Sequence, residues 1–367
     1  MDRIMNATPI FHGNEKKYLN ECIDTGWISA NGRFIREFEK KFADFCGTKY
    51  AIACSNGTVT LHLALKALGI GPGDEVIMPT LTYIATANAV NYCGATPIFV
   101  DSEPDTWNID VKDVESKITE RTKAIIPVHL YGLACNMDKL LAVANKKGIP
   151  VVEDAAEAHG AKWGKRKVGS IGKIGSFSFF GNKIITCGEG GMLTTDDEEL
   201  YERMRLLRSQ GVDPKKRYWH TTVAYNYRMT NMQAAIGLGQ LECIDWHLEQ
   251  RQRVAGLYHK YLEDLKDYVD IQAVPEQASH VYWMNSILLK DSVAKNRDQV
   301  MEELEKKNIE MRPLFYPMHI MPPYFDASVH CPVAEKLSSR GINLPSHGLL
   351  TEEQIEYIVK SLKEVIC

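Results

Sequence analysis

The stretch YAIACSNGTVTLHLALKALGIGPGDEVIMP, residues 50–79, has the pattern of a strand, a helix and a second strand. Two short apolar runs flank a segment rich in leucine and alanine. Strands that are continuously apolar and separated by helices of about 10–15 residues are typical of parallel sheets covered on both faces. This stretch therefore predicts an α/β fold.

The same alternation continues along the first half of the chain. With the two runs above, the apolar runs predict seven strands, at residues 50–55, 75–79, 96–101, 123–130, 149–155, 175–180 and 190–195. We therefore expect a mainly parallel seven-stranded sheet with helices on both faces.

The pattern changes near residue 230, where Thr230 and Gln233 have the spacing of a capping box. A long helix is predicted to begin there, with Ala235 and Leu248 among the apolar residues on one face. It leads to a smaller α+β region with strands predicted at 268–273, 282–289 and 309–315. We predict a large domain at 1–249, including an N-terminal helical segment, and a small C-terminal domain at 250–367.

Composition excludes several classes of protein. Hydrophobic residues make up 45% and charged residues 25% of the 367 residues, and the formal net charge is −4. A nucleic-acid surface would require a basic patch that this charge does not suggest. No apolar run reaches the roughly 18 residues of a membrane span, and the N-terminus lacks the apolar core of a signal peptide.

The nine cysteines include no CxxC pair, so neither a metal site nor a disulfide framework is predicted. Buried thiols in a reducing compartment are the simpler interpretation. We therefore expect a cytoplasmic protein with no membrane or nucleic-acid partner.

Four groups of polar residues lie at predicted strand ends or turns. The first, Ser55 to Thr58, lies between a strand and a helix, where free N–H groups bind phosphate; ordinary helix capping is the alternative. The second is Asp154, which ends a strand and is placed to face a cationic ring nitrogen, unless it only caps a helix or faces solvent. Glu157 follows three residues later.

The third group flanks the turn after FSFF, residues 177–180. Ser178 is a phosphate donor, and Lys183 is suited to a Schiff base with a carbonyl if burial lowers its pKa. An ordinary lysine would instead pack its stem and expose its amine. The fourth group is the run from Asn226 to Met229, before the capped helix. A phosphate cradle, an aspartate for a pyridinium nitrogen and a lysine for an aldehyde together match pyridoxal 5′-phosphate (PLP).

Longer stretches make the resemblance specific. The sequence resembles the DegT/DnrJ/EryC1/StrS family of nucleotide-sugar aminotransferases, which are fold-type-I PLP enzymes. The similar stretches are SNGTVTLHLALKALGIGPGDEVIMPTLTYIATANAV (55–90), VEDAAEAHG (152–160), VGSIGKIGSFSFFGNKIITCGEGGM (168–192), YNYRMTN (225–231), RPLFYPMH (312–319) and RGINLPS (340–346). The loop HLYGLAC departs from many relatives, which have a proline where this chain has Leu133 and Ala134.

The resemblance implies roles for individual residues. Lys183 would hold PLP covalently, and Asp154 would keep its pyridine nitrogen protonated. Gly57, Thr58 and Ser178 would bind the phosphate of the cofactor.

Three further cofactor contacts are implied in the same way. Tyr83 would stack on the ring, unless it is a core aromatic residue, and Glu157 would lie near the ring hydroxyl or the lysine. Asn226 would reach the cofactor phosphate of a neighbouring subunit. The resemblance thus implies a homodimer with a shared active site.

The substrates implied are L-glutamate and a GDP-linked keto-sugar, GDP-4-keto-6-deoxy-D-mannose, with transfer of the amino group to C4 in a route to O-antigen or a related glycan. A UDP- or dTDP-linked keto-sugar is the alternative. Candidate substrate contacts are Trp219, His220, Arg312 and Tyr316.

The same residues bear on two other possible functions. The family also includes sugar 3-dehydratases, which have a histidine in place of the lysine, so Lys183 argues against that activity. A non-enzymatic regulator with a PLP-type domain would need a DNA-binding module, and the chain shows no basic footprint for one.

Overall fold

The computed structural model, which describes residues 2–367, alternates strands and helices through the first half of the chain. The helices are α1 (Glu15–Thr25), α2 (Arg33–Cys46), α3 (Gly57–Ala67), α4 (Ala85–Tyr92), α5 (Val111–Lys117), α6 (Met137–Lys147), α7 (Glu198–Arg208), α8 (Asn231–Glu242), α9 (Ile244–Leu262), α10 (Arg297–Glu305), α11 (Pro332–Arg340) and α12 (Glu352–Ile366). The strands are β1 (Tyr50–Cys54), β2 (Glu75–Pro79), β3 (Thr96–Val100), β4 (Thr122–Ile125), β5 (Val152–Asp154), β6 (Lys162–Trp163), β7 (Arg166–Lys167), β8 (Ile174–Ser178), β9 (Gly191–Thr195), β10 (Val269–Ile271), β11 (Asn285–Leu289), β12 (Arg312–Pro313) and β13 (Gly341–Leu344).

Seven of these strands form one sheet in the order β3-β2-β4-β5-β8-β9-β1. Hydrogen bonds link the strands into two groups, β3-β2-β4 and β5-β8-β9-β1. Parallel bridges from Ile125 to Val151 and from Val128 to Asp154 join the two groups between β4 and β5. The ladder pairs are parallel except for both pairs of β9. A parallel return needs a crossover, usually a helix, and residues 179–190 contain none, so β9 runs back antiparallel to β8. The predicted seven-stranded, mainly parallel fold is confirmed.

Both faces of this sheet are buried, because neighbouring residues of a strand belong to different cores. In β2, Ile77 packs in one hydrophobic cluster, while Val76 and Met78 pack in the other. Side chains alternate between the two faces of a strand, so a strand covered on both sides must be apolar at every position. This explains the uninterrupted apolar runs of the sequence.

The long helix predicted after Thr230 is two helices. The capping box of Thr230 and Gln233 is present at the start of α8. However, Cys243 leaves the helical conformation, with φ −112° and ψ 18°, and α9 begins at the next residue. Within α8, an added Cβ on Gly237 would lie 2.7 Å from the Phe38 ring, so close packing against α2 explains a glycine inside a helix.

The smaller sheet is antiparallel, in the order β10-β11-β13-β12. The first residues of the chain pack on this part of the protein: Ile4 pairs with Ile309 and shares its hydrophobic core, and Asn6 donates to the carbonyls of Asn343 and Leu344. The domain boundary predicted at residue 249 lies inside α9. Within residues 2–367, no helix has the length and apolar character needed to span a membrane.

A buried carboxylate fixes the loop between β7 and β8. Glu153 is fully buried and accepts hydrogen bonds from the N–H groups of Gly169, Ile171 and Gly172 at 3.0, 2.7 and 2.6 Å. Its fourth partner is His129, whose Nε2 lies 3.0 Å from Oε2. Because a buried carboxylate needs such partners, this network holds the loop against the strand that also carries Asp154.

Replacing Glu153 with glutamine should destabilise the protein. An amide has one acceptor oxygen instead of two, so at least one loop N–H would be left buried without a partner. We expect the free energy of unfolding to fall by about 3 kcal/mol. Urea unfolding measures this, with Glu356→Gln on the exposed face of α12 as the control. Equal stability of the two variants would contradict the role given to Glu153.

Candidate active site

The largest cavity described here lies at the carboxyl ends of the parallel strands. Its volume is about 690 Å³, within the usual range of about 300–1,000 Å³ for small-molecule sites. Residues after β1, β5 and β8 line one side, and β12 and the segment before β11 line the other. Ligands of open α/β sheets bind at this edge. Eight sequence-predicted residues line it: Gly57, Thr58, Tyr83, Asp154, Glu157, Ser178, Lys183 and Arg312.

One end of the cavity is the N-terminus of α3. The Asn56 side chain caps the helix by accepting from the Val59 N–H at 3.0 Å, and the preceding N–H groups have no partner within the helix. An added Cβ on Gly57 would lie 2.7 Å from Cβ of Ser178. Glycine therefore allows β8 to bring the Ser178 hydroxyl against the helix N-terminus, which is a suitable place for an anion.

Asp154 is buried at the end of β5. Its Oδ2 accepts from the Thr86 hydroxyl at 2.8 Å, and its Oδ1 accepts from the Ala156 N–H at 3.2 Å. Burial raises the pKa of Asp154, while these two hydrogen bonds and the nearby Lys183 amine lower it in part. The carboxylate is thus held in one orientation at the cavity wall.

Lys183 lies in the turn between β8 and β9, with its side chain 11% exposed. Its Nζ lies 3.7 Å from Oε1 of Glu157 and 3.8 Å from the centre of the Trp283 ring. Burial lowers the pKa of Lys183, and the carboxylates of Glu157 and Asp154 oppose that shift. The amine is therefore more readily deprotonated than that of an exposed lysine, which is what a nucleophile requires.

Glu157 is buried close to the Lys183 amine. Its Oε2 accepts from the backbone N–H of Tyr131 at 2.8 Å. Burial raises the pKa of Glu157 to about 7, against the opposing effects of Lys183 and that N–H. The group therefore changes charge near neutral pH.

Two further predicted residues lie at the rim of the cavity. Tyr83 is 58% exposed, and its ring centre lies 5.9 Å from that of Phe315, so Tyr83 is not a core residue. Arg312 comes from β12 and pairs with Glu310 at 3.0 Å. Both the large sheet and the small domain thus contribute to the site.

Four predicted residues do not line this cavity. Asn226, Trp219 and His220 are exposed, and His220 Nδ1 lies 2.8 Å from the Gln210 carbonyl oxygen. Tyr316 accepts a hydrogen bond from Arg297 at 3.1 Å. The role of Asn226 toward a neighbouring subunit stays a prediction, as does substrate binding by the other three.

Sequence reasoning missed Thr86 and Trp283 as site residues. Thr86 lies on α4, and its hydroxyl reaches Asp154 at the end of β5, 68 residues later in the chain. Trp283 reads as part of an apolar strand, and nothing near it in the sequence indicates that its ring faces Lys183. Both contacts join residues that are distant in sequence.

Comparison with known proteins identifies the class. The model of the DegT/DnrJ/EryC1/StrS aminotransferase family matches residues 9–363. The chain therefore belongs to this family of aminotransferases, as the sequence predicted.

Individual relatives match over almost their whole length. The GDP-perosamine synthase of Caulobacter vibrioides is 55% identical over 367 residues, which are 100% of this chain and 99% of the relative. The GDP-perosamine synthase of Escherichia coli O157:H7 is 49% identical, over 97% and 96% of the two chains. A Streptococcus pneumoniae protein solved in its PLP-form has a TM-score of 0.94 at 29% identity, covering 99% of this chain and 98% of that one.

The residues of the cavity fit PLP. The N-terminus of α3 packs closely against Ser178, since an added Cβ on Gly57 would lie 2.7 Å from Cβ of Ser178. Such a helix N-terminus suits a phosphate. Asp154 offers a buried carboxylate to a cationic ring nitrogen, and Lys183 offers an amine of lowered pKa to an aldehyde. The three groups line one cavity.

Glu157→Gln should remove a pH transition near 7 from the reaction with the amino donor. Above its pKa of about 7 the Glu157 carboxylate is ionised and can take up the proton of the Lys183 ammonium 3.7 Å away, which leaves the amine neutral for the reaction. We expect the wild-type rate to rise with pH through 7. The amide is neutral throughout, so the variant should lack this step and be about tenfold slower at pH 8.

Single-turnover rates between pH 5.5 and 9 measure this effect. Glu276→Gln, an exposed glutamate outside the cavity, is the control and should keep the wild-type profile. If Glu157→Gln retained the transition, another group would be responsible for it.

Proposed function

We propose that this chain transfers the amino group of L-glutamate to C4 of GDP-4-keto-6-deoxy-D-mannose, giving GDP-perosamine and 2-oxoglutarate, with PLP as cofactor. The observation that carries the proposal is the meeting of Lys183, Asp154 and the α3 N-terminus in one cavity. Identities of 55% and 49% to two GDP-perosamine synthases support the choice of substrate.

The residues that would hold the cofactor each have a separate task. Gly57, Thr58 and Ser178 would bind its phosphate, and Tyr83 would lie against its ring. Asp154 would face the ring nitrogen, and Thr86 and the Ala156 N–H stabilise the charge of this carboxylate. When bound, PLP supplies an electron sink for the electrons released at the α-carbon of the amino donor.

Lys183 is the residue that moves protons. In its neutral form, Nζ takes the proton from the α-carbon of glutamate, and in the second half-reaction it returns a proton at C4 of the sugar. One group serves as base and then as acid, which requires a pKa near the working pH. Burial lowers the pKa of Lys183 in that direction, and Glu157 keeps the protonated amine close to the site.

We infer that the working enzyme is a homodimer. Asn226 is exposed and lies outside the cavity of its own chain. Val223, three residues earlier in the sequence, is 95% exposed. Such a surface suits contact with a second copy, from which Asn226 would reach the cofactor phosphate. Trp219, His220, Arg312 and Tyr316 remain candidates for the nucleotide. We place the enzyme in the cytoplasm, in keeping with nine cysteines that form no disulfide.

Lys183→Ala should abolish transamination. The variant has no amine to bond the aldehyde or to move the proton, so we expect a loss of at least about 10⁴-fold in rate and no visible absorption band from bound cofactor. Lys183→Arg is the matched comparison, because it keeps a positive charge but cannot serve as the nucleophile. Measurable turnover by the alanine variant would contradict the role of Lys183.

The substrate is tested by product analysis with a panel of keto-sugars. We expect the purified enzyme, with glutamate and PLP, to convert GDP-4-keto-6-deoxy-D-mannose at least about a hundred times more efficiently than UDP- or dTDP-linked 4-keto-sugars. Mass spectrometry of the nucleotide sugar and assay of 2-oxoglutarate measure it. Preference for a UDP- or dTDP-linked sugar would favour the alternative predicted from the sequence.

A further inference from the structure

The amine of Lys183 lies against one aromatic ring of the cavity wall. The Trp283 ring centre is 3.8 Å from Nζ, and Trp283 lies in the segment before β11. Glu157 holds the amine at 3.7 Å. An ammonium group is attracted to an aromatic face, and more strongly where water is excluded.

The position of the Trp283 ring is fixed relative to the lysine backbone. Its indole N–H donates to the carbonyl of Asn182, the residue before Lys183, at 2.8 Å. At its own backbone, the Trp283 carbonyl accepts from Nη1 of the buried Arg251 at 2.8 Å. The Trp283 ring is thus bonded to the turn that carries the lysine, and the Trp283 backbone is bonded to α9.

The Trp283 ring and the Glu157 carboxylate, which both lie close to the amine, share one support, Tyr131. The Tyr131 N–H donates to Glu157, while its side chain stacks on Trp283 with ring centres 6.2 Å apart at 24°. Tyr131 adopts φ +57°, in the left-handed region. The next residue is Gly132, where an added Cβ would lie 3.0 Å from the backbone nitrogen of Trp283. A residue held in such a conformation requires strong packing around it.

We propose that Trp283 is a positioning residue for Lys183: its ring, together with Glu157, holds the amine near the reacting carbon whenever the amine is not bonded to cofactor. This rests on the proposed function, because it supposes a lysine that is released and must return. The bond it serves forms when neutral Nζ adds to the aldehyde carbon of PLP and water leaves. Without the ring, the lysine side chain would have more conformations to search before that step.

The test follows the capture of PLP by the apoenzyme. Binding has a first phase whose rate depends on PLP concentration. In a second phase the visible band of lysine-bound cofactor appears, and the rate of this phase reaches a limit at high PLP concentration. We expect Trp283→Leu to lower the limiting rate roughly tenfold and Trp283→Phe, which keeps a ring but loses the bond to Asn182, by a smaller factor. The concentration-dependent phase should stay within twofold of wild type.

Trp163→Leu and Trp163→Phe are the matched controls, since Trp163 is also buried but does not line the cavity. Both should capture PLP at the wild-type limiting rate. If Trp283→Leu does not fold, Trp283→Phe decides, with a slowing of about threefold expected. A limiting rate equal to wild type in the folded Trp283 variant, or equal slowing in its Trp163 counterpart, overturns the inference. If wild type itself forms no visible band, it is the proposed function that fails.

Discussion

One ammonium group shares a buried site with two carboxylates, and the rest of the site depends on how those charges are balanced. Lys183 lies near Glu157, whereas Asp154 has only a hydroxyl and one N–H as close partners. A buried charge is costly unless it is paired and hydrogen-bonded. These two hydrogen-bond donors are neutral, so a protonated ring nitrogen would give Asp154 a cationic partner, which explains why a cationic heteroaromatic ring suits this cavity.

The sheet brings these charges together at the carboxyl ends of neighbouring strands. Asp154 and Ser178 are the last residues of two adjacent strands, so their side chains reach the same edge. The turn that carries Lys183 is possible because β9 runs antiparallel to β8 and needs no crossover helix. Glu153, one residue before Asp154, pins the loop that precedes β8. The strand that supplies a charge to the site thus also anchors the neighbouring strand.

Local patterns in the sequence predicted the features that depend on local order. The seven strands, the capping box at Thr230 and the residues at strand ends all follow from periodicity and turn chemistry. The break at Cys243 did not, because the apolar residues keep a helical spacing across it. The pairing of Ile4 with Ile309 and the contact of Trp283 with Lys183 join distant parts of the chain, so no local pattern reports them. The roles of cofactor and substrate residues came from family resemblance rather than from spacing.

Two parts of the chain form the site, and residues near the reactive amine come from both of them. The large sheet supplies Asp154, Ser178 and Lys183, while the small domain supplies Arg312 at the rim. Trp283 belongs to the small-domain side but contacts the reactive amine. The segment before β11 therefore links two parts of the cavity wall, because Trp283 contacts the Lys183 amine and stacks on Tyr131, whose N–H also holds Glu157.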